Sequence, residues 1–148
     1  MIFIGADHRG FIKKQELLNF FTEQNFEFSD LGAYVLAKND DFNEPAIAVA
    51  KSVRKDPKSF GILICGSAHG MTIQANRFKG IRAITSTNPN LVRLGREHNN
   101  ANILCLSADF LTLPQMQSLI KIFINTNFTP IPKYLRRINR LDEREDYA

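Results

Sequence analysis

The stretch "GILICGSAHGMTIQANRFKGIRAITS", from Gly61 to Ser86, holds an apolar run that stops at a cysteine. The five residues after Cys65 are Gly66, Ser67, Ala68, His69 and Gly70, small apart from one histidine, and a second periodic segment follows. A run of strand length, a small-residue turn and a helical period form a strand–turn–helix unit. Small residues let backbone amides approach a ligand closely. Amides that open a helix also carry partial positive charge, which suits an anion or an oxyanion developing on a reacting carbonyl. The same field is expected to favour a thiolate at Cys65. The blander reading of Cys65 is a small buried hydrophobe that ends a strand.

Outward from this unit the chain alternates. Residues 1–6, "MIFIGA", read as a buried strand, and 11–24 as an amphipathic helix with apolar Phe11, Ile12, Leu17, Leu18, Phe20 and Phe21. A second strand over 26–32 ends in a turn, and a helix within 41–55 has Pro45 in its first turn. The third strand covers 59–65, a short helix 70–78 and the fourth strand 80–86. A helix over 88–100 starts with Asn88 as N-cap and Pro89 as first helical residue. The fifth strand spans 101–107, a fifth helix 113–126, and a terminal helix follows two prolines. Short strands alternating with helices predict an α/β fold with a parallel sheet and helices on both faces. The expected arrangement is one domain over 1–148, with a doubly wound sheet of order 2-1-3-4-5. Ligands of such sheets bind beyond the carboxyl ends of the strands, at the switch point between the first and third. Cys65 ends the third strand and "ADHRG" follows the first, so both fall at that edge.

Composition narrows the function. Hydrophobic content of 44% and charged content of 23% suit a globular domain, and no apolar run reaches the ~18 residues of a membrane span. The first ten residues have neither a basic n-region nor a cleavage site. Cys65 and Cys105 both close apolar runs, which predicts reduced thiols and a cytoplasmic location. The net charge is +4, with much of the basic excess in "KYLRRINRLDERE". Acids interrupt that run and no nucleic-acid-binding motif is present, so neither a nucleic-acid nor a membrane partner is expected. A solvated helix face, with arginines paired to Asp142, Glu143 or Glu145, is the plain reading; arginines aimed at a small phosphate are the other.

There are three histidines. His8, beside Asp7, and His69 converge on the cysteine edge. His98, in "REHNNAN", precedes its strand and belongs toward the opposite edge. It can reach a Cys65 site from an extended helix end or from a second subunit. No close pair of Cys or His ligands is present, so no metal site is expected.

Three segments, "GADHRG", "ILICGSAHGMTIQANRFKGIRA" and "REHNNANIL", resemble the type B ribose-5-phosphate isomerases, a family that includes the galactose-6-phosphate isomerase subunits. The resemblance runs from Ile2 to about Ile138. It implies a Rossmann-like three-layer sandwich, a dimer or tetramer with a shared site, and neither metal nor cofactor. The implied reaction interconverts an aldose phosphate and a ketose phosphate through a cis-enediolate, with ribose 5-phosphate and ribulose 5-phosphate as the expected pair. Cys65 matches the general base and His98 the residue that opens the sugar ring. The amides of Gly66, Ser67, Ala68, His69 and Gly70 match the enediolate cradle, and Ser67 keeps a hydroxyl where threonine is usual. Asp7, His8 and Asn99 match ligand contacts, and Asp7 and Ser67 complete the implied catalytic set with Cys65 and His98. Arg137 matches a phosphate-binding arginine, with Arg136 and Arg140 nearby.

The chain departs from the family pattern at several places. "DFNEPA" puts Pro45 where an aromatic contact is usual. Ala68 replaces a glycine, His69 an apolar residue and Lys133 an arginine. Asp109 stands where a phosphate-binding arginine is expected. If Asp109 faces the site, dianion binding weakens by about 2 kcal/mol or more. An isomerase of allose or galactose 6-phosphate, and a sugar-phosphate-binding homologue without turnover, are therefore the alternatives.

Overall fold

The structure is a computed structural model in which residues 1–143 are described. Glu145 lies outside the described residues. Element order is β1 (Ile2–Ala6), α1 (Phe11–Glu23), β2 (Phe28–Asp30), α2 (Asn43–Lys55), β3 (Phe60–Cys65), α3 (His69–Ala75), β4 (Ala83–Thr85), α4 (Pro89–Asn99), β5 (Ile103–Ser107), α5 (Leu113–Asn125) and α6 (Pro132–Arg140). All strand pairs are parallel, as the alternation predicts.

Strand order corrects the expectation. It is β2-β1-β3-β5-β4, so β5 rather than β4 lies beside β3. The physical reason is burial. A strand covered on both faces needs an unbroken apolar run. All five residues of β5 are buried, whereas β4 keeps only three residues, two of them partly exposed. Arg82, just before β4, suits an edge and not a centre. The switch point between β1 and β3 is unchanged. The consequence is a register in which Cys65 lies opposite Ser107 and Gly61 opposite Ile103.

The pleat sorts side chains into two cores. Ile62 and Ile64 join Ile4, Leu104 and Leu106 on one face, under Leu17, Phe20 and Phe21 of α1, Val92 of α4 and Phe123 of α5. Leu63, Cys65, Ile103 and Cys105 point the other way, under Val49 and Val53 of α2 and Met71 and Ala75 of α3. These layers make the three-layer sandwich. Helix starts follow their local chemistry. The Asn88 side chain accepts the Asn90 N–H at 2.9 Å, with Pro89 in the first turn. Thr112 and Gln115 form a reciprocal capping box on α5. Among the described residues no helix is long and apolar enough to cross a membrane.

Candidate active site

The β1–α1 loop is pressed onto the end of β3. The Asp7 N–H donates to the Ile64 carbonyl at 3.3 Å. A Cβ at Gly10 would come within 2.8 Å of the Ile64 carbonyl carbon, so only glycine lets α1 start there. Asp7 is buried, and its Oδ1 accepts the N–H groups of Arg9 at 3.0 Å and Gly10 at 3.2 Å. Burial pushes its pKa up, against those two bonds. Asp7 thus braces the loop while sitting beside Cys65.

Cys65 is 5% exposed and faces the α2/α3 layer. The backbone N–H groups of Ala68 and Met71 point at its sulfur. The expected thiolate-favouring field is therefore present, but it does not win. Burial comes first and pushes the thiol's pKa up, and the Asp7 charge adds to it; the amides and Arg9 pull the other way. The resting group is a thiol. Cys105 is fully buried, and its pKa is pushed up to about 12 by burial. Both cysteines are free.

The turn after Cys65 places Ala68 at φ 71°, in the left-handed region where glycine is unstrained. Ser67 and His69 are exposed, and the His69 N–H donates to Ser67 Oγ at 3.3 Å. Because β5 adjoins β3, its own turn closes on this one. Ser107 Oγ donates to the Gly66 carbonyl at 2.5 Å, and the Asp109 N–H to the same oxygen at 3.2 Å. A cavity of about 340 Å³ opens alongside, lined by Ser67, His69, Ser107, Phe110 and the hydroxyls of Thr85 to Thr87.

Three groups escaped the sequence reading. Asp40 holds His8: its Oδ1 lies 2.7 Å from the ring Nδ1 and accepts the His8 backbone N–H at 3.0 Å. Arg9 forms an ion pair with Asp109, so the carboxylate at the arginine position carries its own counter-ion. The Arg9 side chain lies over Gly66, where a Cβ would meet its Nε at 2.9 Å. Phe42 supplies an aromatic ring against Gly70, where a Cβ would meet ring carbons at 2.8 Å. Pro45, in contrast, is buried and packs toward Gly5 of β1. Spacing signals none of these, because each pairing joins residues distant in sequence.

His98, Asn99, Lys133 and Arg137 are not brought to Cys65. The α4 helix delivers His98 and Asn99 to the amino edge of the sheet, where β5 begins. His98 stacks on Tyr134 of α6 with ring centroids 4.7 Å apart. Lys133 lies over the same tyrosine, 5.3 Å from its centroid. Asn99 lines a separate cavity of about 350 Å³ with Arg82, Leu141 and Asp142. Asp142 accepts the Gly80 N–H at 3.1 Å, which ties the end of α6 to the entrance of β4. Arg137 is exposed; Arg140 meets Glu143 at 3.7 Å across an exposed pair. Among the described residues no group of three or more His, Cys, Asp and Glu side chains is gathered to hold a metal.

A doubly wound sheet with a cysteine, a buried carboxylate and a left-handed turn at its switch point defines an α/β protein of the class whose ligands bind at the carboxyl edge. The chain belongs to the ribose/galactose isomerase family, whose match spans residues 2–141. It is 36% identical to a probable ribose-5-phosphate isomerase B of Mycoplasma genitalium, over 95% of this chain and 92% of that one. It is 31% identical to a ribose-5-phosphate isomerase B of Mycolicibacterium paratuberculosis, over 97% and 91%. Among solved structures, a ribose 5-phosphate isomerase of Thermotoga maritima superimposes with a TM-score of 0.91, at 36% identity over 97% of each chain. The Mycoplasma genitalium enzyme with bound ribulose-5-phosphate superimposes with a TM-score of 0.92, at 34% identity over 99% and 97%.

Proposed function

We propose that this protein is an aldose–ketose isomerase that interconverts ribose 5-phosphate and ribulose 5-phosphate. The observation that carries the reading is the Cys65 sulfur, buried at the switch point under two backbone N–H groups and beside Asp7. Family membership and the ribulose-5-phosphate relative support the substrate class.

In this mechanism the Cys65 thiolate takes the C2 proton of the open-chain aldose. The C1 carbonyl becomes an enediolate oxygen, and the amides of Gly66 to Gly70 stabilise its charge. As a proton passes from the 2-hydroxyl to O1, the same thiol returns its proton to C1, giving the ketose. Ser67 and Asp7 bind the reacting hydroxyls, and His8, oriented by Asp40, contacts the sugar or its phosphate. His69 borders the sugar from the turn. His98 opens the ring by proton transfer, Asn99 holds a hydroxyl, and Lys133 and Arg137 meet the phosphate. Those last four residues occupy the opposite sheet edge of their own chain, so the site is shared between two subunits of a homodimer or higher oligomer. Two free thiols suit work in the reducing cytoplasm.

A coupled isomerisation assay over ribose, allose and galactose phosphates tests the reading. Ribose 5-phosphate should show the highest kcat/KM. A preference for a hexose 6-phosphate reassigns the substrate, and no turnover of any of them supports the binding-protein alternative.

A further inference from the structure

We infer that Arg9 is a substrate-binding residue of the cysteine edge, contributing a phosphate-facing guanidinium from the β1–α1 loop, and that Asp109 is its positioning partner. The inference rests on the sugar-phosphate reading above and extends it to a residue that reading leaves out.

Arg9 follows Asp7 and His8 in the loop that packs on β3, and its side chain lies across Gly66, the first residue of the turn after Cys65. A side chain at position 66 would displace it, so the glycine makes room for the guanidinium as well as for a ligand. Arg9 Nη2 binds Asp109 Oδ2. That pair spends one nitrogen of a group that carries five N–H donors. The Arg9 side chain is 55% exposed, so the ion pair leaves other donors open to solvent beside the turn. A lone exposed arginine would lose side-chain entropy on gripping an anion. The Asp109 tether restrains Arg9 beforehand and leaves a free edge for paired hydrogen bonds to a phosphate.

Most other cations are committed elsewhere. Arg96 is buried between Phe60 and Phe123. Arg82 binds the Asn100 and Gly80 carbonyls at the amino edge. Arg93 pairs with Glu97, and Lys13 caps the Ala108 and Leu111 carbonyls. Arg136, Arg137 and Arg140 lie on α6, which packs on α4 and ties to β4 at the amino edge. Among the described residues, Arg9 is a guanidinium that a chain offers next to its own Cys65.

Calorimetric titration with ribitol 5-phosphate separates this inference from the isomerase reading, because the polyol has no carbonyl to isomerise. Wild type should bind it, with inorganic phosphate competing. Arg9→Gln, which keeps bulk but not charge, should weaken binding tenfold or more, and Arg9→Lys should recover part of the loss. Asp109→Asn should weaken it less, and adding Asp109→Asn to Arg9→Gln should cost nothing further. In turnover, Arg9→Gln should raise KM for ribose 5-phosphate with kcat nearly kept. Unchanged ribitol 5-phosphate affinity in Arg9→Gln overturns the inference while leaving the isomerase reading intact. A fall in kcat with an unchanged KM also overturns it, and assigns Arg9 to the thiol instead. A wild-type protein that does not bind ribitol 5-phosphate overturns the sugar-phosphate reading, and the role of Arg9 with it.

Discussion

Mixing two inactive variants, Cys65→Ala and His98→Ala, should restore activity. The register sets the argument. Along β5, Ile103 lies opposite Gly61 and Ser107 opposite Cys65. Four strand steps therefore separate the two ends by about 13 Å, and His98 lies before Ile103, on the far side. Proton transfer needs heavy atoms within about 3 Å, so one chain cannot bring His98 to its own Cys65 site. In a two-fold dimer the two sites are built reciprocally. A hybrid of the two variants then carries one site with both residues intact and one with neither. Random exchange makes about half of the dimers hybrids, so about a quarter of all sites become functional. The assay is ribose 5-phosphate turnover after subunits are dissociated in mild denaturant and reassembled, with differently tagged chains to count hybrids. Recovery near a quarter of wild type is expected. Confirmed hybrids with no recovery would refute the shared site and require a rearranged α4.

Cys65→Ala should lower kcat by about a hundredfold or more with KM little changed, while Cys105→Ala keeps its activity, as steady-state kinetics will show. Because burial raises the Cys65 pKa, the working thiolate grows as pH rises, so kcat/KM should climb through neutral into alkaline pH; a flat profile there would remove the thiol from the rate. Asp30→Asn should cost about 3–5 kcal/mol in urea unfolding, because the fully buried Lys14 ammonium, 2.7 Å from Asp30 Oδ1, loses its counter-charge. Ala68→Gly should gain up to about 1 kcal/mol of stability by relieving the left-handed backbone, less the added chain entropy of glycine, and a denaturation midpoint that falls would show that Ala68 is unstrained.

The legible parts of the molecule were those with local causes. The small turn after Cys65 and the caps at Asn88 and Pro89 all act within a few residues, and patterning exposed them. The strand order was not legible. Residues 80–86 and 101–107 both read as strands, and only tertiary burial decides which lies beside β3. The Cys65 field was misjudged for the same reason. Turn amides are visible in the sequence, but the desolvation that outweighs them comes from α2 and α3. Arg9 and Asp109 are 100 residues apart, so Asp109 looked like an isolated departure and Arg9 went unremarked until the β5 turn closed on the β3 turn.

The interior place of β5 between β3 and β4 also bears on how the sheet can be completed. β4 pairs with β5 alone, and β3 has only β1 until β5 arrives. During synthesis, β4 leaves the ribosome with no strand to join, and the inner edge of β3 stays open until residues 103–107 follow. The growing chain passes through a stage in which an apolar strand edge is exposed, the state most open to wrong pairing. Insertion of β5 then closes the gap in one event. It joins the fourth strand to the sheet and seats Ser107 and Asp109 against Gly66, so completing the sheet and completing the cysteine edge depend on the same strand.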